Sequence, residues 1–171
     1  MTAHGPARVI VMGVTGCGKT TVGALLAGRL GADFLDGDDY HPPENVAKMS
    51  AGTPLTDEDR WPWLDRLSEV MNSAVSQRGR VVLACSALRR VYRDRLMRGC
   101  AEAPLFIHLS GGRELIHERM AARREHYMPV ALLDSQIATL EEIAPEENAM
   151  VTEIDAPVDQ VVGRILTELG L

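Results

Sequence analysis

Residues 13–20 read Gly13-Val14-Thr15-Gly16-Cys17-Gly18-Lys19-Thr20, an octet of the form GxxxxGK[ST]. An apolar run, Val9-Ile10-Val11-Met12, precedes it and a helical pattern follows. That order restricts this part of the chain to a strand, a phosphate-binding loop and a helix. The glycines let successive backbone N–H groups turn inward into a nest for phosphate oxygens. Lys19 supplies a mobile charge for the β- and γ-phosphates and Thr20 a hydroxyl for Mg²⁺. Thr21 continues the helix start, whose dipole favours anions. Cys17 reads as a small spacer. The octet therefore predicts a nucleoside triphosphate, with ATP and Mg²⁺ as the expected pair.

Apolar runs alternate with longer helical patterns along the whole chain, which predicts an α/β fold with a parallel sheet. Strands are expected at Arg8–Met12, Asp33–Asp36, Arg80–Cys85, Leu105–Leu109 and Met150–Ile154. Helices are expected at Lys19–Leu30, Asp57–Arg78, Ala87–Arg98, Arg113–Arg124, Ala131–Glu142 and Val158–Leu169. Thr56 before Asp57-Glu58-Asp59 reads as an N-cap with acids in the first turn, and Pro157 fits a helix start. No repeat or linker divides the 171 residues, so one domain is expected. Two polar stretches, 38–56 and 119–130, look like a substrate cover and a lid over the carboxyl ends of the strands, where open α/β sheets collect ligands.

No NKxD guanine reader occurs, and the strand ending in Cys85-Ser86 carries no carboxylate for a metal. The acids stand instead in Asp36-Gly37-Asp38-Asp39, which favours a small kinase over a GTP switch or a motor ATPase. Transfer to a hydroxyl needs a carboxylate to take its proton and cations to spread charge. One of Asp36 and Asp38 can serve magnesium, the other the acceptor. Arg119 and Arg123 stand four apart on one helical face and, with Arg124, can turn toward a polyphosphate. Trp61 and Trp63 read as packing beneath the cover.

The net charge of −6 discourages nucleic-acid and anionic-membrane partners. Nine arginines against five acids between Ala87 and His126 nevertheless point to a small, highly charged anion. Those from Arg89 to Arg98 are expected to form, for the most part, an ordinary charged surface. Three sparse cysteines exclude a disulfide framework or thiolate zinc site. No apolar run suggests a membrane span or a signal peptide, so a cytoplasmic location is expected.

With these pieces assembled, the chain closely resembles the bacterial-type gluconokinases, small relatives of shikimate and adenylate kinases. The resemblance rests on the octet and on Asp36-Gly37-Asp38-Asp39-Tyr40-His41-Pro42. It continues through Pro54-Leu55-Thr56-Asp57-Glu58-Asp59-Arg60-Trp61-Pro62-Trp63-Leu64 and Cys85-Ser86-Ala87-Leu88-Arg89-Arg90-Val91-Tyr92-Arg93-Asp94. Arg123-Arg124-Glu125-His126-Tyr127-Met128-Pro129 and Leu132-Leu133-Asp134-Ser135-Gln136 complete it. It implies ATP-dependent phosphorylation of D-gluconate at its terminal hydroxyl, in carbohydrate-acid catabolism that feeds the pentose phosphate pathway. It also implies a nucleoside monophosphate kinase-like, three-layer α/β/α phosphate-loop fold with a five-stranded parallel sheet and helical lid, commonly as a homodimer.

By position, the resemblance implies Asp38 at the acceptor hydroxyl, Asp36 with Thr20 at magnesium and Arg60 on the substrate carboxylate. Arg119 corresponds to the residue against adenine, with the Ala156-Pro157 bend lining that site, and Arg123 or Arg124 to the lid arginine. His41, Lys48, His126 and Gln136 are the polar groups expected to read the sugar acid. Ile143 stands where proline is usual, which implies a lid exit helix running slightly further. A kinase for another hydroxy acid, shikimate included, and a nucleotide sensor without turnover are the competing readings. The sensor should show a damaged octet or a missing acceptor carboxylate, and the chain shows neither.

Overall fold

The computed structural model describes residues 5–122 and 130–171. Arg123, Arg124 and His126, with most of the expected lid, lie outside the described residues. Five strands, β1 (Arg8–Met12), β2 (Asp33–Asp36), β3 (Val81–Ala84), β4 (Leu105–Ser110) and β5 (Ala149–Glu153), form one sheet in the order β2-β3-β1-β4-β5. Every neighbouring pair is parallel. The described helices are α1 (Lys19–Leu30), α2 (Pro43–Ser50), α3 (Asp57–Arg78), α4 (Arg90–Gly99), α5 (Arg113–Ala122), α6 (Val130–Thr139) and α7 (Val158–Glu168).

Alternation along the strands divides the core into two halves, because successive side chains leave a strand on opposite faces. Val9 and Val11 of β1, with Val82, Ile107 and Leu109, pack with Leu26 of α1, Ile116 of α5 and Val161, Val162 and Ile165 of α7. Ile10 and Met12, with Val81, Leu83 and Phe106, pack with Leu64, Leu67 and Met71 of α3 and Leu96 of α4. Helices thus cover both faces of the sheet, and β1, fully buried, lies at its centre. No helix among the described residues is long and apolar enough to cross a membrane.

Local chemistry explains where the elements begin and end. Thr56 caps α3 in a reciprocal capping box, accepting from the Asp59 N–H while Asp59 accepts from the Thr56 N–H. Gly31 ends α1 in a left-handed conformation that returns its N–H to the carbonyls of Ala27 and Gly28. The cover, a polar stretch in which no helix is expected, holds the helix α2, started by Pro43, after a 3-10 turn at Gly37–Tyr40.

Two helix boundaries differ from expectation by three residues. α4 begins at Arg90 rather than Ala87, because Ala87 takes a φ of 45° and its carbonyl is bonded by Arg93. α6 ends at Thr139 rather than extending past Glu142: the Glu141 N–H leaves the helical path to donate to the Leu88 carbonyl at 2.8 Å.

Arg93 corrects the surface expected of 89–98. It is 0% exposed and donates to both carboxylate oxygens of Glu147, at 2.7 and 3.2 Å, and to the carbonyls of Ala87, Leu88 and Glu141. Five bonds satisfy the buried guanidinium and pin the β3–α4 loop to the segment after α6. Arg93→Met leaves Glu147 buried without its cation, and should destabilise the fold by about 3–5 kcal/mol. Denaturant melts at neutral pH test this; a loss below about 1 kcal/mol would mean the pair is not integral to the fold.

Candidate active site

The phosphate loop leaves the carboxyl end of the central strand and closes at α1. Gly18, φ 93°, stands at the N-cap of α1 in a conformation that side chains disfavour. Gly13 allows close packing: a Cβ there would lie 2.7 Å from Cys17 Sγ and 3.0 Å from the Leu109 carbonyl oxygen. Its N–H donates to the Ser86 carbonyl, tying the loop to the β3–α4 connection. Lys19 Nζ donates to the carbonyls of Gly13 at 3.0 Å and Val14 at 3.1 Å, across the loop's mouth. Cys17 is buried, in keeping with a spacer, and Thr20 and Thr21 are exposed on the first turn of α1.

The end of β2 faces this loop. Thr20 Oγ1 lies 3.4 Å from Asp36 Oδ2, and Asp36 Oδ1 accepts from the Asp38 N–H at 3.0 Å. A hydroxyl and a carboxylate converging beside the phosphate loop fit Mg²⁺, which commonly takes one or two protein oxygens and completes its shell from phosphates and water. Cys85, at the end of β3, is an unsuitable ligand: burial pushes its thiol up to about 12. Asp38 is open to solvent at the cleft edge, yet partial loss of hydration, and then the charge of Asp36, raise its pKa; His41 and Lys19 oppose the shift. A carboxylate tuned upward in this way is a better proton acceptor than an ordinary aspartate.

The cover packs on the start of α3. Trp63, buried, donates from Nε1 to the Gly37 carbonyl at 2.8 Å, and the His41 ring stacks on it at 4.1 Å. Partial burial lowers the His41 pKa, which keeps the ring neutral further into the acidic range. Asn45 bridges His41 Nδ1 and the Asp59 carbonyl, so α2 holds the histidine in place. Trp63 therefore lies beneath the cover as expected, while Trp61 packs edge-on to Tyr92 at 6.1 Å.

Other site residues divide between this centre and its surroundings. Arg60 lies in the cleft beside His41, donating to the Leu55 carbonyl at 2.8 Å. Lys48 is engaged with Asp59 at 2.8 Å, clamping α2 to α3, and helps hold the Asp59 carboxyl near 2. Gln136 of α6 reaches the phosphate loop, where its Oε1 accepts from the Thr15 N–H at 2.6 Å. Arg119 of α5 donates to the carbonyls of Ile154 and Ala156, which brings it to the Ala156-Pro157 bend.

Sequence reasoning passed over Arg89, Tyr92 and Asp57. Tyr92 donates its hydroxyl to Asp57 at 2.6 Å, and Arg89 pairs with the same carboxylate at 2.7 Å. Arg89 and Tyr92 line a cleft of about 560 Å³ with Arg60, Leu55, Ser135 and Thr139. The available signal was their place in the block 85–94, whose conspicuous arginines suggested only a charged surface.

A phosphate loop at the carboxyl end of the central strand of a parallel sheet, with Asp36 facing its Thr20, makes this a small phosphate-loop kinase. The family model for shikimate kinase matches residues 15–167. The chain belongs to the gluconokinase family. It is 48% identical to the gluconokinase of Gluconobacter oxydans (strain 621H), over 80% of this chain and 76% of that protein. It is 46% identical to the thermosensitive gluconokinase of Escherichia coli (strain K12), over 83% of this chain and 75% of that one. The crystal structure of a gluconokinase from Sinorhizobium meliloti 1021 has a TM-score of 0.86 at 42% identity, covering 96% of this chain and 92% of that one.

Proposed function

We propose that the protein transfers the γ-phosphoryl group of ATP to the terminal hydroxyl of D-gluconate, giving 6-phospho-D-gluconate and ADP. The observation that carries this reading is the succession of charges from loop to cleft. Asp38 lies within electrostatic range of Lys19 in the phosphate loop and of His41 in the cover, and His41 within range of Arg60, which lines the cleft. A substrate with a hydroxyl at one end and a carboxylate at the other matches that polarity. The gluconokinases among its relatives support the choice of acid.

In the proposed reaction Asp38 takes the proton of the terminal hydroxyl as its oxygen bonds to the γ-phosphorus. The bond from that phosphorus to the β–γ bridging oxygen breaks, and ADP leaves. Lys19 and the backbone N–H groups of the first turn of α1 spread the charge on the transferring group and the leaving oxygen. Thr20 and Asp36 would hold Mg²⁺, which would supply neutralisation of the phosphate charge. Arg60 orients the carboxylate, and His41, Lys48 and Gln136 complete the polar lining. Arg119 and the Ala156-Pro157 bend are assigned to adenine. Arg123, Arg124 and His126 are assigned to closure over the phosphates and sugar acid, from the sequence alone.

A coupled assay of ADP release across D-gluconate, other aldonates and shikimate tests the reading. Turnover should be fastest with gluconate; ATP binding without turnover on any acceptor would refute it. We further propose a cytoplasmic homodimer, which light scattering at the mass of one chain would rule out.

A further inference from the structure

We propose that Arg89 is a second reader of the acceptor's carboxylate, forming with Arg60 a two-arginine clamp whose spacing is set by Tyr92 and Asp57. This rests on the sugar-acid reading above and deepens it. Arg89 immediately precedes α4, on the β3–α4 loop, whereas Arg60 lies in the first turn of α3. The two guanidinium groups nevertheless approach the same aromatic ring, at 5.2 Å for Arg60 and 5.6 Å for Arg89 from its centroid. Both line the same cleft.

Their positions are fixed from behind. Asp57 Oδ1 accepts from the Tyr92 hydroxyl at 2.6 Å and Oδ2 from Arg89 Nη1 at 2.7 Å, and Arg60 Nη1 lies 3.9 Å from Oδ1. On its other side, Arg89 Nε donates to Glu141 Oε1 at 3.3 Å. A guanidinium has five N–H donors, so holding it by two of them still allows it to bind an incoming carboxylate. The planar fork suits a carboxylate better than a flexible ammonium would. Ser135 and Thr139, exposed on α6 along the same cleft, add hydroxyls suited to a polyol chain.

A structural ion pair and a ligand-reading cation predict different behaviour for the two ends of the Arg89–Glu141 contact. Arg89→Gln should raise the KM for D-gluconate by roughly ten- to hundredfold, the loss of one charged hydrogen-bonding partner. Its kcat and its KM for ATP should stay within about threefold of the wild type, since binding of the distant carboxylate is not specific to the transition state. Glu141→Gln removes an acid from the cleft and leaves Arg89 in place, so it should leave the gluconate KM unchanged or lower it. Inhibition by D-glucitol, a chain of the same length without the carboxylate, should be unaffected by Arg89→Gln.

A gluconate KM within about twofold of the wild type in Arg89→Gln would overturn the clamp. So would a rise in KM shared by Glu141→Gln, or an equal weakening of glucitol. Failure of the wild type to phosphorylate gluconate would instead remove the sugar-acid reading, and the clamp with it.

Discussion

Lys19→Ala should lower the rate of phosphoryl transfer on the order of a thousandfold while the melting temperature stays unchanged. The lysine is half-buried, and its described bonds go to the carbonyls of Gly13 and Val14, within the loop itself. Among the described residues its hydrogen bonds stay within the loop, so removing it costs the fold little. Its charge meets the phosphates as negative charge redistributes during transfer, and water cannot replace a fixed cation without reorganising at that moment. Single-turnover rates and thermal melts on the same preparation provide the check. Turnover within about tenfold of the wild type would deny the loop its role in the reaction.

Asp38→Asn should lower kcat by about 10²–10⁴ and leave ATP affinity within a few-fold, because the amide cannot accept the acceptor's proton. The substitution is nearly isosteric and keeps the Asp38 N–H that donates to Asp36, so the turn at the end of β2 survives. Titration with ATP and steady-state assays with gluconate separate the two effects. Loss of ATP binding with turnover preserved at saturation would exchange the duties assigned to Asp36 and Asp38. The proposed assignment rests on Asp36 facing Thr20 and on Asp38 lying within electrostatic range of both Lys19 and His41.

Much of this arrangement is legible in the chain because its strongest signals are local. The octet between an apolar strand and a helix fixes the donor side, and the run Thr56-Asp57-Glu58-Asp59 marks the start of α3 to the residue. Four of the five strands announce themselves as short apolar runs buried on at least one face, whereas β2, Asp33–Asp36, is half-buried throughout. What was not legible depends on contacts between distant segments. Ala87 gives no sign in the sequence of its positive φ, which delays α4 and accompanies the carbonyl's bond to Arg93. Arg93 looks like its neighbours on a charged helix, and only Glu147, 54 residues on, makes its burial possible. Helix α2 spans only eight residues, too short a window for its period to be told from a loop, and its apolar Val46 and Met49 stay exposed. Arg89 escaped attention for a related reason: the aromatic ring and acid that aim it come partly from α3.

The α6 segment from Ser135 to Thr139 places Gln136 on the Thr15 N–H of the phosphate loop and Ser135 and Thr139 along the acceptor cleft. A single helical turn therefore touches both the phosphate loop and the cleft proposed for the acceptor. Any adjustment of that turn made by one substrate alters the surface offered to the other. Thermodynamic reciprocity then applies: whatever factor ATP imposes on the affinity for the sugar acid, the sugar acid imposes on the affinity for ATP.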